Sequence, residues 1–192
     1  MPVINFLISF FIEFSPNIAF FLATVNSDFF TGVKFLLVFT VISFTLSAIR
    51  DKRIPIFMAL SSFFVVTFGI LTLYFWTPYF TVLEYTLYNL FFCLGVVVGY
   101  FKKKPAMKIL FNTMFSITDY GWHILSIRWG IVFFLAAVGN EISWNFYGEK
   151  VWIYYRFIAA ILLAIFGFSQ FFLAKRERLV HASPWGLKIH KK

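Results

Sequence analysis

Residues 29–53 read FFTGVKFLLVFTVISFTLSAIRDKR. Between Phe29 and Ile49 only Lys34 is charged, and the run ends abruptly in Arg50-Asp51-Lys52-Arg53. Twenty-one helical residues rise about 31 Å, the thickness of a bilayer's hydrocarbon core. A core helix of a soluble domain rarely needs so long an unbroken apolar run. A membrane span needs it, and a basic flank then marks the cytoplasmic end.

The pattern recurs along the chain. Six hydrophobic segments stand out, at about 3–25, 29–49, 54–76, 80–101, 124–145 and 151–174. The chain of 192 residues is 61% hydrophobic and 13% charged, against about 45–50% and 25% in soluble domains. Such an excess would coat a soluble fold with apolar patches, whereas lipid accepts it as a solvent. The reading is therefore an all-α, polytopic transmembrane bundle at 1–174 with a basic tail at 175–192. Five segments read as certain spans. The first, which holds Glu13, Pro16 and Asn17, reads as a sixth that either spans or re-enters.

Charge sorts the connections. Arg50, Lys52 and Arg53, then Lys102, Lys103, Lys104 and Lys108, then six residues of the tail make up 13 of the 17 basic residues. Alternating spans place these three regions on one side, which the positive-inside rule makes cytoplasmic. The opposite side receives Asn26-Ser27-Asp28, the Thr77-Pro78 turn and the loop Tyr147-Gly148-Glu149-Lys150. A net charge of +9 held in such short clusters is topogenic, so no nucleic-acid partner is expected. Membrane lipids are, and homo-oligomerisation is compatible with the pattern. In the link 102–123, Met107, Ile109, Leu110 and Phe111 interleave with Lys104 and Lys108, which fits either a short surface helix or a solvated loop. Thr118 is placed to cap a helix beginning near Tyr120.

Ionisable groups inside a membrane are costly, which makes them the candidate site residues. Glu13, three residues before Pro16, is expected to be neutral, to be hydrogen-bonded to a neighbouring helix, or to face water if the segment is interfacial. The alternative is a proton or cation site where Pro16 breaks the helix. Arg156 is expected to pair with Glu141, with Glu84 as a second partner. Asp119 and His123, four apart, share a helical face, but two such residues fall far short of a triad or a metal site. Arg128 and Asn140 complete the polar set. Gly95 and Gly99 form a GxxxG motif suited to close helix packing. Trp122, Trp129, Trp144 and Trp152 read as interfacial anchors, and the lone Cys93 as a structural thiol. No phosphate-binding loop, nucleophile elbow or Cys/His cluster occurs, so neither catalysis nor a cofactor is expected.

The stretch from Lys104-Pro105 through Leu110, Phe115-Ser116-Ile117-Thr118-Asp119-Tyr120-Gly121-Trp122, Leu125, Arg128-Trp129, Phe133-Phe134 and Asn140-Glu141 to Trp144 resembles one family in order and spacing. That family is intracellular septation protein A, the inner membrane-spanning YciB type of bacteria. Glu13-Phe14-Ser15-Pro16 with Phe20-Phe21-Leu22-Ala23, Arg53-Ile54-Pro55, Phe68 to Tyr74 and Trp152-Ile153-Tyr154-Tyr155-Arg156 extend the likeness. Where the family carries Phe-Ile-Lys-x-Lys-Pro-Thr, this chain has Phe80-Thr81-Val82-Leu83-Glu84-Tyr85-Thr86. The resemblance implies a bacterial inner-membrane protein of envelope biogenesis, membrane homeostasis and septation. It also implies contacts with the elongation and division machinery and no enzymatic activity. The family's usual description has five spans. The competing function from the residues alone is a small transporter or channel using Glu13 and Arg156.

Overall fold

The computed structural model describes residues 2–51, 56–112 and 114–188. Expectations that fall on Lys52, Arg53, Ile54, Pro55, Lys191 and Lys192 lie outside the described residues. The elements are α1 (Pro2–Asn26), α2 (Phe29–Asp51), α3 (Ile56–Phe75), α4 (Tyr79–Phe101), α5 (Ala106–Phe111) and α6 (Asp119–Arg176). Among the described residues, four helices carry a stretch long and apolar enough to cross a membrane: Phe29–Arg50, Met58–Phe75, Tyr79–Phe101 and Asp119–Arg176. The described residues contain two isolated β-bridges and no strand.

The 58-residue α6 would be about 87 Å long if straight, nearly three hydrocarbon thicknesses. It is not straight. Gly148 takes φ 78° and ψ −178°, a backbone region open almost only to glycine. The Trp144 and Trp152 ring centroids are 5.9 Å apart, although eight residues of straight helix rise about 12 Å. The chain therefore reverses at Gly148 into two helical arms, and the expected four-residue loop contracts to a single non-helical residue.

The chain forms two compact units. The first comprises Met1–Tyr88 and Asn140–Phe157, and the second Asn89–Gly139 and Ile158–Lys192.

In the first unit, α2 buries Phe29, Val33, Leu36, Thr40, Ser43 and Ser47. Their alternating spacing of four and three is a single helical stripe. Its first half joins Phe20, Val82, Trp152 and Ile153 in an apolar core. Its second half is hydroxylic, and Pro16 explains one of those hydroxyls. Proline has no N–H, so the Ile12 carbonyl four residues back loses its helical donor. The hydroxyls of Ser43 and of Ser15 donate to that carbonyl instead. Serine side chains repair a proline site in this way where no water is at hand. The helix consequently continues through Pro16 without a break. Gly32 and Gly69 provide the close approaches: a Cβ at Gly32 would collide with Thr24 Oγ1, and one at Gly69 would lie 2.6 Å from a Leu37 methyl carbon.

The second unit contains α5, a real but six-residue helix whose Met107 is buried. Thr118 caps α6, accepting from the Gly121 N–H at 3.0 Å. Residues 177–188 return to pair with 114–118. Ser116 N–H donates to Gly186 O at 2.7 Å, Thr118 N–H to Glu177 O at 2.9 Å, and Lys188 N–H to Met114 O at 3.0 Å. Of the two GxxxG glycines, Gly99 is the tight one among the described residues: a Cβ there would meet Lys104 O and Ala106, the first residue of α5, whereas one on Gly95 would meet nothing. Gly130 is the tight helix-to-helix position, where an added Cβ would lie 2.9 Å from a Val96 methyl.

Candidate functional site: a buried ion pair walled by aromatic rings

On the second arm of α6, Trp152 and Arg156 are one turn apart and share a face. On α4, Thr81, Glu84 and Tyr85 share another. Arg156 Nη2 donates to Glu84 Oε2 at 3.0 Å, and the two side chains are only 4% and 5% exposed. Arg156 Nη1 donates to the Thr81 carbonyl at 3.3 Å. The guanidinium carbon lies 5.4, 5.3 and 5.5 Å from the ring centres of Phe20, Tyr85 and Trp152. Buried Arg156 Nε has no hydrogen-bond partner among the described residues. Arginine stays charged in proteins, so burial here requires compensation. The carboxylate supplies the counter-charge, and the ring faces supply further negative potential.

A second polar network lies in the same unit. Asn140 Nδ2 donates to Val82 O at 3.0 Å and to Thr86 Oγ1 at 2.8 Å. Its Oδ1 accepts from Trp152 Nε1 at 2.6 Å. Thr86 in turn donates to Glu141, whose other oxygen accepts from Asn145 at 3.0 Å. Thr72 and Thr81 share a hydroxyl hydrogen bond at 2.7 Å between α3 and α4.

These contacts correct several expectations. Arg156 takes Glu84 as its partner, while Glu141 goes to Thr86 and Asn145. Trp152 and Trp122, 0% and 3% exposed, are core residues rather than interfacial anchors, and the indole N–H of Trp152 is consumed by Asn140. Glu13 is exposed on α1. Asp119 pairs with Lys108 at 2.8 Å on an exposed surface, and His123 is half-buried on the next turn. Arg128 donates to Gln170 at 3.4 Å within the second unit. Among the described residues no three His, Cys, Asp or Glu gather to hold a metal ion. The sequence reading did not single out Tyr85, Thr81, Thr86 or Ser43. Their signal was their helical spacing from Glu84 and along the α2 stripe.

Long apolar helices that bury a charged pair and a polar ladder define a helical integral membrane protein. The model of the family described as intracellular septation protein A matches residues 8–179, and the chain belongs to that family. Its relatives include the inner membrane-spanning protein YciB of Afipia carboxidovorans, 28% identical over 172 residues, covering 89% of this chain and 86% of the relative. The protein of that name in Nitrobacter hamburgensis is 29% identical over 174 residues, covering 89% and 86%. The one in Agrobacterium fabrum is 27% identical over 165 residues, covering 78% and 81%. No solved structure matches.

Proposed function

We propose that this chain is a bacterial inner-membrane protein that supports envelope biogenesis, membrane homeostasis and septation by binding partners, not by catalysis. Components of the elongation and division machinery are the expected partners, and no cofactor is required. The chain crosses six times, with α1 and the two arms of α6 counted as spans, and its basic loops and both ends face the cytoplasm. The observation that carries the reading is how Arg156 is engaged. Its charge is taken up by Glu84, the Thr81 carbonyl and three rings. A transport pathway built on it would need that charge available to a solute. Family membership supplies the link to septation.

The test pairs in-cell photocrosslinking with proteoliposome flux. Photoreactive residues at the exposed positions Phe63, Ile70 and Ile165 are expected to yield discrete adducts with identified elongation or division proteins. Purified protein is expected to pass no protons or common ions above empty liposomes. Ion flux abolished by Glu13→Gln or Arg156→Gln, with no protein adducts in cells, would replace this reading with transport.

A further inference from the structure

A groove of about 340 Å³ runs along α4 in the second unit. Cys93, Val96, Val97, Tyr100 and Phe101 line it at helical spacings of three, four, seven and eight, and Gly130 of α6 closes its floor against Val96. The absence of a side chain at Gly130 is what lets α6 approach so closely. The stripe from Cys93 to Phe101 rises about 12 Å, close to the roughly 15 Å of hydrocarbon in one leaflet. At Phe101 the apolar surface ends and Lys102-Lys103-Lys104 begins, all three exposed. None of these lysines forms an ion pair among the described residues. They are gathered by a tight turn: Lys103 takes φ 54°, and Lys104 N–H donates to Gly99 O at 2.8 Å. The turn thereby gathers three lysines at the negative end of the α4 dipole.

We infer that this groove and its lysine turn form a binding site for one anionic phospholipid, an acyl chain lying along Cys93 to Phe101 and the phosphate against Lys102 to Lys104. Length selects a single leaflet's chain, and the unpaired cations select an anionic headgroup over a zwitterionic one. Each lysine near an anionic lipid surface contributes favourably, and three acting together set a preference on the order of tenfold or more.

The full-length protein is placed in phosphatidylcholine vesicles containing a trace of phospholipid with a diazirine near the middle of one acyl chain. The probe headgroup is either phosphatidylglycerol or phosphatidylcholine. After irradiation, adducts are mapped by peptide mass spectrometry. The phosphatidylglycerol probe is expected to concentrate on residues 93–101 and 127–130, with labelling on the order of tenfold above the phosphatidylcholine probe. Lys102→Gln, Lys103→Gln and Lys104→Gln combined should bring the two probes near parity while helical content stays unchanged. Val97→Trp, which fills the groove, should cut labelling there by both probes and leave other helices unaffected. Equal labelling of the wild type by both probes, adducts spread evenly over all lipid-facing helices, or a preference that survives the triple substitution would each overturn the site.

Discussion

Replacing Arg156 by Met and Glu84 by Leu, singly and together, tests whether the ion pair is a closed structural unit. At 3.0 Å and an effective dielectric near 20, the direct attraction is about 5.5 kcal/mol. Desolvation of both groups offsets much of it, so the pair's net worth against an apolar replacement is small. Removing one partner is different, because it leaves the other buried and uncompensated, at about 3–5 kcal/mol. The chain unfolded in detergent also finds polar partners, which points to the lower end, about 3 kcal/mol for each single substitution. Glu84→Leu should be the costlier of the two, because the guanidinium it strands stays charged in a buried site. The double variant should lie within about 1 kcal/mol of wild type, which gives a coupling of several kcal/mol. The assay is reversible unfolding of the full-length protein by SDS in mixed micelles, followed by tryptophan fluorescence. Additive costs, or single substitutions below about 1 kcal/mol, would refute the reasoning.

Ser43→Ala should cost about 0.5–1.5 kcal/mol in the same titration, and Pro16→Ala should erase most of that cost by returning an N–H to the Ile12 carbonyl. Gly148→Ala meets no steric obstacle yet should cost about 1–3 kcal/mol, because alanine resists φ 78°. Asp28 caps α2 through the Thr31 hydroxyl and N–H, and these bonds hold its carboxyl below the usual 3.8. The cap is therefore intact above that pH and is lost as acid carries the carboxylate through its lowered value. Asp28→Asn should flatten this part of the acid limb of an unfolding curve measured against pH.

The helices were legible because long apolar runs and lysine clusters act locally. The cap at Thr118 was legible for the same reason. Partner choice was not, because it depends on rotation about helix axes. Glu84 and Glu141 both lay within plausible reach of Arg156, and only the face that α4 turns inward decided between them. Trp152 misled for a related reason: flanking a hairpin is a sequence position, while burial under Phe20 and Phe29 is a packing fact. Gly95-x-x-x-Gly99 met the motif, but only its second glycine is tight, against the turn into α5, and the close approach of α4 to α6 falls on Gly130. Ser43 became interpretable once α2 was seen to lie against the carbonyl that Pro16 had released.

The pairing of residues 177–188 with 114–118 bears on how this protein is to be handled. Glu177 accepts from both the N–H and the hydroxyl of Thr118, the residue that caps α6. Gly186, at φ 71°, sits so close to Ala174 O that any side chain there would collide. A topology reporter fused just after Lys175 would remove these partners and report on a damaged molecule. Fusions and affinity tags belong beyond residue 188, and shortening the chain at the end of its last helix should be read as a structural lesion, not as the trimming of a solvated tail.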